Sequence, residues 1–292
     1  MKDTFSSYHP IINFTYFCTV ILCSMFFMHP VLLFISAAAA FAYSVYLNRM
    51  KALRFNLLYL IPSMIIVVLI NPLFNHQGIT ILCYVRDNPL TLESILYGIA
   101  TGLMFASVIL WFSCYNAVMT SDKFMYLFGR IIPASSLIFS MVLRFVPKFK
   151  VQIAQISNAQ KCVGRDVGSG TYLERARHGM KILSIMVTWA LESAVETADS
   201  MKSRGYGLKG RTSFSVFRFD TRDKGIFLIM IAFIGVLLAG ACFGQNNIQY
   251  FPSIKITEID GFSIFVYSVY FVFCILPIAL NIMEDIKWKH LQ

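Results

Sequence analysis

The stretch ADSMKSRGYG, Ala198 to Gly207, decides how this chain is read. It is polar, holds one arginine and two glycines, and closes a long run of helical period in an otherwise oily chain. Before it, Leu183, Val187, Ala190, Ala194, Ala198 and Met201 recur at three- and four-residue steps, while Glu192, Glu196, Asp199 and Lys202 take other faces. Such spacing is an apolar stripe of an α-helix. The helix is expected from about Tyr172 to Arg204, about 50 Å long at ~1.5 Å per residue. Gly205 is its natural terminator, and Gly207 keeps the chain turning.

The surroundings of this helix are different in kind. The 292-residue chain is 57% apolar and only 14% charged, where a soluble domain carries about a quarter charged residues. The apolar residues fall in blocks at roughly 11–29, 31–47, 55–74, 94–118, 226–244 and 262–283. Each approaches the ~20 residues that a bilayer crossing requires. The expected fold class is therefore an all-α polytopic membrane protein of about six spans with a helical domain outside the membrane. Four spans lie in 1–118, the domain is 119–225, and two spans lie in 226–292. The first apolar block is read as a retained span, since MKDTFSSYHP is barely basic and a second block follows at once.

Lysine and arginine orient the spans. NRMKALR (48–54) has three basic residues and no acid, so it is expected as a cytoplasmic loop with both termini inside. The loops 75–93 and 245–261 then face out, with one basic residue each, Arg86 and Lys255. Segment 119–225 holds seventeen Lys/Arg against eight Asp/Glu, +9 of the net +10. A segment at 134–146, between Pro133 and Pro147 and containing Arg144, is too short to cross and suits the interface.

None of the six blocks contains Asp, Glu, Lys or Arg. Ion-coupled carriers generally hold such a residue at membrane depth, which disfavours a self-sufficient carrier. Five cysteines lie in apolar blocks, and neither cysteines nor histidines form a metal-site spacing. No cofactor and no metal are expected. Gly98, Gly102 and Ala106 place a small residue at every fourth position of the fourth span, and Gly240 and Gly244 do so in the fifth. Small faces permit close helix approach in lipid. They serve either packing within the chain or docking of a separate membrane protein.

Function is thus expected in 119–225. Thr120, Ser121 and Asp122 are helix N-caps for a short helix. Pro133 and Pro147 punctuate, and a first long helix is expected over 148–163, carrying Val151, Ile153, Ala154, Ile156 and Ala159. Both long helices end in glycine beside arginine: Gly164-Arg165 and Arg204-Gly205. A basic residue there complements the helix dipole. Alternatively, the tips are plugs, with a guanidinium fork suited to a carboxylate in a partner's groove.

The motifs LRFVPKF (143–149), AQKCVGRD (159–166) and ADSMKSRGYG (198–207), in this order, resemble the T component of energy-coupling factor transporters, the EcfT/CbiQ family. NPLFNHQG (71–78) is similar to that family's first outer loop. The likeness covers nearly the whole chain, and the last motif is the most specific. It implies a bacterial or archaeal cell-membrane protein, N-in and C-in, without catalysis of its own. It implies two ABC-type ATPase subunits gripped by the helix tips, and a membrane-embedded S component that captures a vitamin or a metal ion. Nucleic acid has no part in it. The second tip motif is Ser203-Arg204-Gly205. In the first, Val163 stands where arginine is expected, followed by Gly164 and then Arg165, so that either Arg165 substitutes from a shifted register or this tip docks by apolar contact. Ala159, Gln160, Ala198, Asp199, Arg144 and Pro147 support the coupling helices by the same likeness, and Gly98, Gly102 and Ala106 are candidates for the S-component contact. The runner-up is a CbiQ-type permease subunit of a dedicated cobalt or nickel importer. A lipid- or prenyl-transfer enzyme would need convergent carboxylates, for which Glu196 and Asp199 on one helix face are meagre material.

Overall fold

The computed structural model describes residues 3–85, 88–129, 133–208, 217–244, 246, 248–256 and 260–291. Arg86 lies outside the described residues. Nine helices and two small hairpins follow in order among them: α1 (Pro10–Phe26), α2 (Pro30–Phe55), α3 (Ile61–Phe74), β1 (Ile81–Val85), β2 (Asn88–Thr91), α4 (Leu92–Val118), α5 (Ser121–Gly129), α6 (Pro133–Cys162), α7 (Tyr172–Ser203), α8 (Thr221–Cys242), β3 (Ile248–Gln249), β4 (Lys255–Ile256) and α9 (Gly261–Leu291). The chain divides into two compact units, Met1–Phe124 with Phe217–Gln292, and Met125–Val216. The expected domain 119–225 brackets the second.

Among the described residues, five helical segments are long and apolar enough to cross a membrane: Pro30–Met50, Asn56–Phe74, Leu92–Val118, Thr221–Cys242 and Gly261–Lys287. The sixth expected span is α1, apolar and 17 residues long, at the short limit for a crossing. The expected loop 48–54 is not a loop. Helix α2 runs to Phe55, broken at Arg49 (φ 46°, ψ −124°), and a π-helical turn, Asn56–Leu60, leads directly into α3. One residue with non-helical dihedrals is enough to redirect a helix, so basic residues alone did not imply an extended connection.

The first unit is built on α4. Helices α1, α2 and α3 all pack against it, while α9 packs against α2 and α8. Trp111 of α4 is fully buried among Tyr16, Phe17 and Tyr43. Its indole N–H donates to Ser36 Oγ at 2.9 Å, and Ser36 also bonds Ser24 at 2.6 Å. Sequestered polar atoms need such partners, since nothing in an apolar core replaces water. At the N-terminus, Asn281 of α9 donates to Asp3 Oδ1 at 2.6 Å, and Tyr43 donates to Asp3 Oδ2 at 3.1 Å. Lys123 is buried beside this segment and donates to the carbonyls of Ser6 and Val118. Its burial pulls the ammonium pKa down.

The small-residue face of α4 is occupied by α3. A Cβ on Gly102 would meet Val68 Cγ2 at 2.6 Å, and one on Gly98 would meet the Val68 carbonyl at 3.0 Å. Ala106 is buried in the main core. Of the two readings open for this face, the geometry supplies packing within the chain and leaves no surface there for another protein. Gly240 packs likewise on Val266 of α9, and Gly244 ends α8 at φ +75°.

In the second unit the expected break at Pro147 is absent: α6 is one 30-residue helix with Pro147 inside it. The segment 134–146, expected to lie by itself at the interface, is its first half. Proline forfeits one backbone hydrogen bond and tends to kink a helix, but bonds on either side can carry the helix through. Phe149 meets Trp189 edge-on at 5.8 Å, Lys148 Nζ donates to Ser193 Oγ at 3.1 Å, and Ile156 packs with Ile182 and Met186. Partners on α7 fall in number as those on α6 rise, so the two helices run antiparallel.

Candidate functional site

The site is assembled from the C-terminal ends of α6 and α7. Both close with the same device. On α6, the Gly164 amide donates to the Lys161 carbonyl at 3.0 Å and the Arg165 amide to the Gln160 carbonyl at 2.9 Å. On α7, the Gly205 amide donates to the Lys202 carbonyl at 2.9 Å and the Tyr206 amide to the Met201 carbonyl at 3.0 Å. This pair of bonds is the Schellman motif, which satisfies carbonyls that a helix end would otherwise leave open. It demands a left-handed residue after the cap, and Gly164 (φ +77°) and Gly205 (φ +76°) supply it.

The shared motif aligns the two tips residue by residue. Val163 and Arg204 are the cap residues, Gly164 and Gly205 follow, and Arg165 corresponds to Tyr206. The backbone register of the first tip is therefore not shifted. Val163 occupies the place of Arg204, and Arg165 lies one position past the glycine. All six residues sit at the surface, with Gly205 half-buried. Val163, at 68% exposure, is an apolar side chain presented to the outside.

Since the helices are antiparallel, the tips lie at opposite ends of the pair. Counted along the axes at ~1.5 Å per residue, they stand up to about 40 Å apart. The first tip is braced by its following turn. Lys161 pairs with Asp166 at 3.4 Å, and Asp166 Oδ1 accepts from the Gly168 amide at 3.0 Å. That amide, with Lys161, holds the Asp166 carboxyl below the usual range. Thr171 and Glu174 form a capping box at the start of α7, and the Thr171 amide lowers the Glu174 pKa. Arg175 Nε reaches back to the Val167 carbonyl at 2.8 Å.

The other residues expected to support the tips are dispersed. Gln160 contributes through its carbonyl, which accepts from both Val163 and Arg165. Ser203 bonds the Ser200 carbonyl at 2.9 Å. Ala159, Ala198 and Asp199 are exposed on their helices, as are Arg144 and Pro147. Arg144 lies 5.5 Å from the Phe145 ring. Tyr206, Lys161 and Asp166 join the tips without having been singled out in the motifs, and Met201, expected only in the apolar stripe, accepts a cap bond. They emerge only from the cap hydrogen bonds, although Gly at each helix end signals where to look.

The apolar stripe expected to pack α7 is largely open, with Leu183 61% and Val187 50% exposed. The helix packs by the adjacent stripe of Ile182, Met186, Trp189 and Ser193, where Lys148 Nζ also lies 4.9 Å from the Trp189 ring centre. Among the described residues, no group of three His, Cys, Asp or Glu could hold a metal ion.

Comparison with known proteins places this architecture. Among similar proteins is the energy-coupling factor transporter transmembrane protein EcfT of Lactobacillus helveticus, 35% identical over 104 residues, covering 35% of this chain and 38% of that one. The protein of the same name from Exiguobacterium sibiricum is 35% identical over 104 residues, 35% of this chain and 39% of its own. EcfT 1 of Listeria monocytogenes is 27% identical over 161 residues, 51% of this chain and 60% of its own. The matched regions thus span less than two thirds of these relatives. The profile of CbiQ, described as a cobalt transport protein, matches residues 10–215, more than half of the chain. A match of that extent, on a chain with apolar spans and two long capped helices, shows that the chain belongs to the CbiQ/EcfT family.

Proposed function

We propose that the chain is the transmembrane T component of an energy-coupling factor importer of the ABC class. In this reading it is a non-catalytic subunit of the cell membrane with both termini inside, and 119–225 is its cytoplasmic coupling domain. The tips of α6 and α7 grip two ATPase subunits. Closure of the ATPases on ATP moves these helices, and the movement passes to a membrane-embedded S component holding a vitamin or another micronutrient.

The observation that carries the proposal is the pair of antiparallel helices ending in one shared, exposed cap. Helices of 30 and 32 residues are stiff levers, and a force applied at a tip travels along the hydrogen-bonded rod rather than dissipating in a loop. Arg204 at the second tip offers the guanidinium fork to an acidic groove. Val163 at the first tip offers an apolar plug. The S component is best received by the open stripe of α7 around Leu183 and Val187, since an exposed apolar row on a packed helix is a surface awaiting a partner. The face of Gly98 and Gly102 is already filled by α3.

A second reading, a CbiQ-type permease subunit of a cobalt or nickel importer, draws on the profile's own description. It uses the same tips and differs in the capture protein. Purification of the tagged chain from native membranes, with identification of what accompanies it, tests both. Two ATPase subunits and a small membrane capture protein are expected. The known ligand class of that protein separates vitamin from metal uptake. A chain that hydrolyses ATP unaided, or that comes away without ATPases, ends both readings.

A further inference from the structure

The apolar character of the β1–β2 hairpin lies in its first strand. Strand β1 reads Ile-Leu-Cys-Tyr-Val, with no polar residue to mark a solvent side. Ile81, Leu82 and Tyr84 are 46%, 54% and 67% exposed, and Cys83 is exposed as well. Side chains alternate across a strand. Cys83 and Tyr84 therefore leave opposite faces, while an irregularity in pairing between Ile81 and Cys83 interrupts the alternation before them. Among the described residues the sheet has two strands, and the outer edge of β1 has no strand beside it. In water such an element would be unstable and adhesive, because a lone two-stranded hairpin is marginal and an apolar open edge invites pairing with other chains.

The neighbouring surface identifies what covers it. Helix α3 ends at Phe74, which is exposed, as are Ile70, Leu73 and Ile79. The span Asn56–Phe74 is long and apolar enough to cross a membrane and only 11% buried within the chain, so its outward side chains suit lipid. The hairpin follows α3 in the chain through the exposed Ile79, and β2 packs against that helix. Tyr84 adds an amphipathic ring of the kind that settles at the headgroup level. The other connection at the base of the hairpin is anchored in the protein. Thr80 donates to Glu93 Oε1 at 2.8 Å, and Thr91 donates to the Gln77 carbonyl at 2.9 Å.

We propose that the β1–β2 hairpin is a membrane-interface element, seated in phospholipid of the leaflet at the C-terminal end of α3, with Leu82 and Tyr84 among its inserted side chains. Its anchored base fixes the depth, and its apolar strand supplies the affinity. The polar rim of Thr80, Thr91 and Glu93 stays with the protein. This inference rests on the membrane spans and not on the docking role of the helix tips.

Photocrosslinking in native membranes tests it. A benzoylphenylalanine is placed at position 84 of the full-length chain, with position 74 as the lipid-facing reference and position 111 as the buried one. Position 84 is expected to yield phospholipid adducts, as position 74 does, while position 111 yields none. A second measurement keeps the question decidable if that variant is poorly made. Tyr84→Trp in phosphatidylcholine vesicles brominated on the acyl chains should show fluorescence loss beyond that of the parent chain, greatest for bromines near the headgroup. Polypeptide adducts at position 84, or added fluorescence that acyl bromines leave untouched, overturn the proposal. The first result would assign the hairpin to a membrane protein partner, and the second would place it in water.

Discussion

The ends of α6 and α7 share a backbone and differ in what they display. Both are Schellman caps closed by a glycine near φ +76°. On this common frame, the cap residue is valine at one tip and arginine at the other, and the next residue beyond the glycine is arginine at one and tyrosine at the other. Only the side chains distinguish them. The glycine belongs to the helix end, whereas the residue before it differs between the tips with no change of backbone. The shared register also reassigns Arg165. With the first tip in register, that arginine has the place of Tyr206 and not that of Arg204, and we propose a local role for it.

The largest expected effect falls on the charged tip. Within the proposed docking, Arg204→Ala strands a buried acidic partner, which costs about 3–5 kcal/mol, on the order of 100-fold or more in Kd. Titration of detergent-purified chain with ATPase subunits reads this directly, and unchanged affinity would remove Arg204 from the docking contact. The apolar tip should lose less. Val163→Ala deletes two methyl groups, about 1.5 kcal/mol at ~0.8 kcal/mol per carbon, roughly tenfold in Kd. A Val163→Ala loss as large as that of Arg204→Ala would show that the tips are energetically alike despite their chemistry.

The glycines sharpen the comparison from the side of the backbone. Alanine in the left-handed region costs about 1–2 kcal/mol at either tip. A Cβ on Gly164 meets nothing within 4 Å, but one on Gly205 meets Leu208 Cδ1 at 3.0 Å. Hydrogen exchange at the capping amides, Arg165 for one tip and Tyr206 for the other, should quicken in both variants and more in Gly205→Ala. Equal quickening would mean that Leu208 gives way freely.

Arg165→Ala is expected to have the smallest effect, about 0.3–1 kcal/mol, local to the helix end. Loss of ATPase binding equal to that of Arg204→Ala would restore it as a docking residue. Acidification acts on the same tip alone. The Asp166 and Glu174 carboxyls are held below their usual range by the Gly168 and Thr171 amides. A lowered folded pKa gives a contribution present above the unfolded value and lost as pH falls through the folded one. Exchange protection at Gly168 and Thr171 should therefore persist through ordinary carboxylate titration and fail only at lower pH, with Gly205 and Tyr206 unaffected.

Much of this was legible in the residues. Helix α7 was expected at 172–204 and spans Tyr172–Ser203, and the fourth span, expected at 94–118, is α4 at Leu92–Val118. Strong periodicity, long apolar blocks and terminal glycines are local signals, and local signals survive folding. Elsewhere the signal was ambiguous. NRMKALR looked like a loop because of its charge, yet only Arg49 leaves the helical region. Pro147 looked like a stop, yet its neighbours carry α6 through.

The sequence by itself determined what depends on near neighbours and on composition: apolar spans, a separate polar helical segment, and helix ends at glycine next to arginine. Tertiary structure decided everything that depends on which surfaces meet. Helix α7 carries two adjacent apolar stripes, and only the position of α6 buries Ile182 and Met186 while leaving Leu183 and Val187 open. The small residues of α4 could have faced lipid, a partner or the chain itself, and α3 took the place. Hydrogen bonds three and five residues apart, not the letters of the motif, set Val163 in the place that Arg204 has at the other tip. A residue's type states what it can contact, but its contacts are fixed by chain segments far away in sequence, and those are brought together only by the fold.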